Sequence, residues 1–237
     1  DARHANLLEP EALGELFLRH PPQGFAAASE ADLPVFGTDF DLLTTLEPAI
    51  LVKIRRLPLF GLWSRLLRFP ARFAGTTATE YAPLPKGLEP GALLDGFRER
   101  CAAGQSLLIV KDVPEVSPLL GAGDNEAAMR LARIAPDKGF IVVEGQALAY
   151  VPIDFSSTDE YLSRLSKSRR KNLRRKLKSR ERLDIEAVPL GDARFGSLDV
   201  LEELYGLYLG VYAQSEIHFD LLTRDFFAGL LQSREIG

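Results

Sequence analysis

The 237-residue chain is expected to adopt a mixed α/β (α+β) fold, and three observations point there. Short apolar runs of strand length, SLLIV at 106–110 being the clearest, are interleaved with longer stretches of helical period. Pro- and Gly-containing turns separate the two kinds of segment, as in folds that layer helices on a sheet. The hydrophobic fraction, 46%, is ordinary for a globular protein, and a chain of this length can bury a core as one large domain or two small ones.

Taken in order, Leu7 to Arg19 has helical spacing and ends at Pro21-Pro22. Residues 22–33 read as loop and Leu33 to Phe40 as a short strand. Leu42 to Arg56 and Leu59 to Arg68 look helical, broken at Pro58 and stopped by Pro70. From Ala49 to Thr79 six basic residues and no acid are interleaved with Leu57, Leu59, Phe60, Trp63 and Leu66. That composition suits an anionic membrane surface, or packing on the domain with the arginines in solvent. We expect packing, because Pro58, Gly61 and Pro70 cut the stretch into short pieces.

Glu80 to Leu84 can be extended, Gly91 to Ala103 is an amphipathic helix, and Ser106 to Val110 has the character of a buried strand. A helix is expected from about Asn125 to Ile134. The preceding Gly121 to Asn125 lacks both G-x-x-x-x-G-K-[ST] and G-x-G-x-x-G, so it reads as a turn and N-cap rather than a phosphate loop. Phe140 to Val143 and Ala147 to Ile153 should form two strands around Glu144-Gly145-Gln146.

Ser156 to Leu183 carries the strongest local signals. Ser157 and Glu160 form a capping box, neither Gly nor Pro interrupts the run from Ile153 to Val188, and acids at the start with bases at the end suit the helix dipole. One continuous helix from Ser157 to about Arg182 is expected. Leu162, Leu165, Leu173 and Leu177 line one stripe, with Lys167, Lys171, Arg174, Arg175, Lys178 and Arg182 opposite. Arg169 falls in the leucine stripe, where an unpaired cation is costly. It should therefore face protein and meet a carboxylate, a carbonyl or a substrate anion. Ten bases and one acid between Lys167 and Arg182 give +9, so with a net charge of −4 the remainder sums to −13. The basic character is local, not general nucleic-acid character. Beyond it Asp184 to Val188 alternates as a strand, Leu198 to Tyr212 is helical, and a last helix opens at Leu221 or Leu222 and runs to about Gln232.

Groups able to do chemistry are few. The single Cys101 excludes an internal disulfide and fits a reducing, cytoplasmic compartment. No H-x-x-x-H or C-x-x-C spacing occurs, so no metal site is expected. A basic n-region with an apolar core is missing from the first residues, and no apolar span is long enough to cross a bilayer, so neither classical secretion nor stable membrane insertion is expected. Ser215, Glu216, His218 and Asp220 set a histidine, with an unperturbed pKa of about 6.5, among carboxylates. His218 is either an acid/base group or a brace for the following helix. Tyr205, Tyr208 and Tyr212 share one helix face, as core or groove-wall aromatics or as substrate contacts.

The run YLSRLSKSRRKNLRRKLKS (Tyr161 to Ser179), the Tyr-rich LEELYGLYLGVY and SEIHFDLLTRDFFAGLL (Ser215 to Leu231) together resemble the BioF2-like and FemAB-like branch of GNAT-fold acyltransferases. EGQALAYVPIDF (Glu144 to Phe155), which leads into the basic helix, is similar as well, and the matching motifs cover roughly Phe140 to Leu231. The resemblance implies a GNAT-like mixed sheet flanked by helices, in a tandem arrangement. Residues 1–155 would be an N-terminal GNAT-like module, and residues 156–237 the basic linking helix and the start of a second, incomplete module. A pyrophosphate loop of pattern Q/R-x-x-G-x-G/A is missing, so the donor site should lie mostly beyond residue 237 and this chain alone should bind acetyl-CoA weakly or not at all.

The implied reaction is transfer of an acyl group from acetyl-CoA or another acyl-CoA to an amine acceptor. His218 and Glu216 would be catalytic, while Arg169, Tyr208, Tyr212, Ser215 and Asp220 would line the substrate site. The FemAB-like alternative takes an aminoacyl group from charged tRNA, touching the RNA through Lys167 to Arg182. A third reading is a non-catalytic module that binds anionic membrane or nucleic acid through the same helix.

Overall fold

The computed structural model describes residues 3–45, 48–87, 89–145, 147–215 and 220–236. They form two compact units, Asp1–Gly145 with Leu190–Gly237, and Gln146–Pro189.

The larger unit is built on a four-stranded mixed sheet in the order β1 (Ala26–Glu30), β2 (Leu33–Asp41), β3 (Arg68–Ala74), β4 (Leu107–Val110). The first three strands are antiparallel and β4 runs parallel to β3. A parallel neighbour needs a crossover, and α4 (Pro90–Cys101) provides it. Alternation along the strands sorts side chains onto two faces. On one face Leu33, Val35 and Ala74 pack with Leu93, Leu94 and Phe97 of α4 and Leu131 of α5 (Ala122–Ile134). The other face presents Phe36, Ala71 and Phe73 to Leu16 and Phe17 of α1 (Glu11–Arg19) and to Phe226 of α9 (Arg224–Gln232). Phe36 stacks on Phe73 at 4.7 Å between ring centroids and meets Phe17 edge-on at 5.7 Å. The architecture is thus a mixed sheet covered by helices on both faces.

Two strands depart from the sequence reading. Residues 26–30, expected as loop, are β1, joined to β2 by a two-residue hairpin in which Ala31 and Asp32 both take positive φ. Ala31-Asp32 lacks the Asn-Gly signature of such turns, and AAASE has little intrinsic strand preference. β3 contains Pro70, which was expected to end a helix, and occupies a central position. It does so because the ladder to β4 begins only at Ala71, leaving Pro70 to accept from Ser106 N at 2.8 Å through its carbonyl. Upstream, α2 (Pro48–Arg55) and α3 (Phe60–Trp63) replace the longer expected helices.

In the smaller unit the expected single helix is two, α6 (Thr158–Arg164) and α7 (Lys167–Arg180). Leu165 turns extended, with ψ 155°, and Ser166 starts a fresh helix by accepting from Arg169 N at 3.4 Å. The box at the start of α6 is formed in shifted register. Ser157 Oγ accepts from Glu160 N at 3.2 Å, but the Glu160 carboxylate reaches Ser156, taking its N–H at 2.8 Å and its hydroxyl at 2.7 Å.

The strands expected at 140–143, 147–153 and 184–188 do not form: among the described residues these segments join no ladder, and Ile141, Val143, Ile153 and Ile185 are exposed. An alternating pattern stabilises a strand only when a neighbour covers one face and takes up its backbone hydrogen bonds.

Candidate functional site

Of the site residues expected from sequence, Tyr208, Tyr212, Ser215 and Asp220 lie at the joint between α8 (Leu198–Gln214) and α9, whereas Arg169 lies on α7. LDVLEELYGLYLGVYAQ contains no proline and few β-branched residues, and Asp199 lies in its first turn, so it extends to Ser215, whose backbone turns extended. Spacings of three and four put Tyr205, Tyr208 and Tyr212 on one face. Phe227 of α9 stacks on Tyr208 at 5.7 Å and lies at the same distance from Tyr205. Thr223 caps α9, accepting from Phe226 N at 3.3 Å.

Two phenols fasten the segment entering α9. Tyr205 Oη donates to the Leu222 carbonyl at 2.9 Å, and Leu222 N donates to Tyr208 Oη at 2.9 Å. Gln23 N in turn donates to the Leu221 carbonyl at 2.8 Å, so the joint is anchored to the loop after α1. Burial pushes the Tyr208 and Tyr212 phenols above their ordinary range, and the Asp220 carboxylate pushes both the same way. Both phenols therefore stay protonated at neutral pH, beside a half-buried carboxylate. Ser215 is exposed at the end of α8. Glu216 and His218 lie outside the described residues.

The basic helix α7 has a different character. Its fourteen residues include nine bases and no acid, and none of its side chains is buried. Among the described residues none of these cations forms an ion pair with a carboxylate. Arg169, expected to face protein, is exposed. It is Arg170 that turns inward, donating to the carbonyls of Ser163 at 3.3 Å and Leu165 at 3.5 Å. The break at Leu165 explains the exchange, since the helical wheel restarts at Ser166 and the phase carried from Ser157 no longer applies. A second Ser cap, Ser166, nine residues after Ser157, was the available signal.

A third feature is the N-terminus of α4, where backbone N–H groups would suit an anion. The Glu89 carboxylate already occupies it, accepting from Gly91 N at 2.7 Å and Ala92 N at 3.1 Å. A cleft of about 260 Å³ opens beside it, lined among others by Asn6, Glu89, Asp124 and Arg130. At the start of α5, Asn125 braces the loop, its Oδ1 accepting from Ser117 N at 2.7 Å and its Nδ2 donating to the Ser117 carbonyl at 2.9 Å. Residues 121–125 are thus the N-cap and first turn of α5, braced through Asn125.

No family model, curated protein or solved structure matches the chain. What the arrangement can do follows from its groups alone. Neutral phenols beside a carboxylate can donate to a developing anion and orient a cationic or amine group. Phe227 was missed in the sequence because it faces the tyrosines from another helix, a relation no spacing reveals. Cys101 is buried, and burial raises its thiol pKa, so it behaves as a core side chain and not a nucleophile. Among the described residues no group of three or more His, Cys, Asp or Glu is placed to hold a metal ion, and no helix is long and apolar enough to cross a membrane.

Proposed function

We propose that the chain belongs to a cytoplasmic N-acyltransferase of GNAT type that moves the acyl group of a coenzyme A thioester to an amine acceptor. The observation that carries this reading is the meeting of Tyr208, Tyr212 and Asp220 at the α8–α9 joint, in the segment that resembles the acyltransferase branch. A mixed sheet whose antiparallel strands lead through a crossover helix to a parallel one also agrees with a GNAT-like module. In the proposed reaction the ammonium form of the acceptor first gives a proton to His218 or Glu216. The free amine then attacks the thioester carbon, a C–N bond forms and the C–S bond breaks, the departing thiolate takes a proton from the acid side of the site, and the proton shed by the attacking nitrogen restores that acid. The protonated phenols suit that donor role, and Asp220 suits an incoming cation. The α4 N-terminus is unsuited to the donor's pyrophosphate, because the Glu89 carboxylate fills it and repels phosphate.

The test is thiol release from acetyl-CoA by a panel of primary amines, measured on the complete protein containing these residues. Amine-dependent release is expected, with His218→Ala lowering turnover about 10²–10⁴-fold and leaving donor affinity unchanged. Release independent of amine, or undiminished turnover in that variant, would remove the proposed mechanism. A second reading, aminoacyl transfer from charged tRNA, is favoured by one observation, the unpaired cations of α7. Binding to RNA that weakens steeply with salt would promote it over the coenzyme A donor.

A further inference from the structure

Between α2 and β3 the chain leaves a set of large apolar side chains in solvent. Leu59 is 72% exposed and Leu66 75%, with Leu57, Ile50 and Val52 also exposed. Leu51, Ile54, Phe60 and Leu67 are half-buried, so the packing expected of this segment covers only some of its apolar side chains. Its cations are exposed too: Lys53, Arg55, Arg56 and Arg65 have no carboxylate partner among the described residues, and the stretch from Ala49 to Thr79 contains no acid. Arg68 alone is paired, with Asp41 at 3.5 Å. The turn at Pro58-Leu59 holds this arrangement firmly. Trp63 Nε1 donates to the Pro58 carbonyl at 3.1 Å, the Phe60 and Trp63 rings meet edge to face at 5.2 Å, and Leu59 takes a left-handed φ of 59°. A bulky residue rarely adopts that conformation, and here it carries an apolar side chain into water with no packing in return.

We propose that residues 48–68 are a peripheral membrane-docking element that lays Leu57, Leu59 and Leu66 into the surface of an anionic phospholipid bilayer while its basic residues meet the headgroups. Two features choose this occupant over a protein. The apolar side chains are interleaved along the chain with cations and no acid, which complements an anionic leaflet, and a half-exposed Trp beside leucine in the sequence suits the boundary between headgroups and acyl chains. α2 and α3 are short, so attachment is shallow and reversible, and depends on both charge and apolar contact. The inference does not rest on the acyltransferase reading.

Trp63 is the sole tryptophan, so its emission reports this segment directly. With the whole chain, vesicles of phosphatidylcholine containing phosphatidylglycerol should shift the emission to the blue and sediment the protein, and raised salt should reverse both. Arg55→Gln and Arg56→Gln should each weaken partitioning about fivefold. Leu59→Glu with Leu66→Glu should abolish it without altering the circular dichroism spectrum, since both side chains are exposed. Failure of the anionic vesicles to shift the emission would overturn the proposal. So would equal binding to phosphatidylcholine alone, or a lipid-free blue shift that grows with protein concentration, the sign of a second copy covering the leucines.

Discussion

Phe226 decides whether α9 folds with the N-terminal sheet or apart from it. Its side chain is 2% exposed and packs with Leu16, Phe17, Phe36 and Phe73, so it belongs to the core beneath α1. The two helices approach closely at Gly229, where a Cβ would lie 2.5 Å from Leu16 Cδ1. Phe226→Ala removes a buried ring and leaves a cavity walled by helices and sheet that can collapse only in part, a cost of about 3–5 kcal/mol. That is a large share of the 5–15 kcal/mol or so that holds a domain folded. The loss should appear as reduced hydrogen-exchange protection in β2 and β3, which lie across the core from the substitution, and not only in α9. Leu16→Ala in the same background should couple to it by about 0.5–3 kcal/mol. Leu207→Ala, on the exposed side of α8, should change stability by no more than about 0.5 kcal/mol. Unchanged protection in β2 and β3, with loss confined to α8 and α9, would refute the packing.

Two further outcomes follow from local electrostatics and capping. The N–H and hydroxyl of Ser156, and then Arg164, hold the Glu160 carboxyl down at about 2, against an ordinary 4.5. A depressed carboxylate stabilises the fold above its unfolded value, so the start of α6 should be fully formed above about pH 4.5 and fray as pH falls towards 2. The carboxyl-carbon shift of Glu160 and the helical shifts of Thr158–Arg164 should titrate together, and a midpoint at the ordinary carboxylate value would sink this account. At α4, Glu89→Ala removes the only side-chain cap and should cost about 1 kcal/mol in a urea titration. An unchanged midpoint would mean that water or a neighbouring donor already satisfies Gly91 and Ala92.

Helices α1, α4, α5, α8 and α9 and strands β2 and β4 were legible in the sequence, because each is signalled within its own residues by period, length and flanking turns. β1 and β3 were illegible for the converse reason. An alanine-rich run and a proline-containing run become strands only because β2 pairs with both, and that pairing is a property of the sheet and not of either segment. The same logic governs the alternating segments at 140–153 and 184–188, which have the pattern of strands and no partner among the described residues.

At the candidate site the tyrosine face was legible, since helical spacing fixes it, whereas its meeting with Phe227 and its bonds to Leu222 depend on how α9 returns. Arg169 shows how narrow the margin is. On a helix one residue is about 100° of rotation, so the break at Leu165 is enough to give its inward place to Arg170. With Arg169 in solvent and Arg170 turned inward, α7 exposes most of its cations and has too few leucines to seat on a bilayer. The apolar side chains that a membrane requires lie instead among the arginines of residues 48–68.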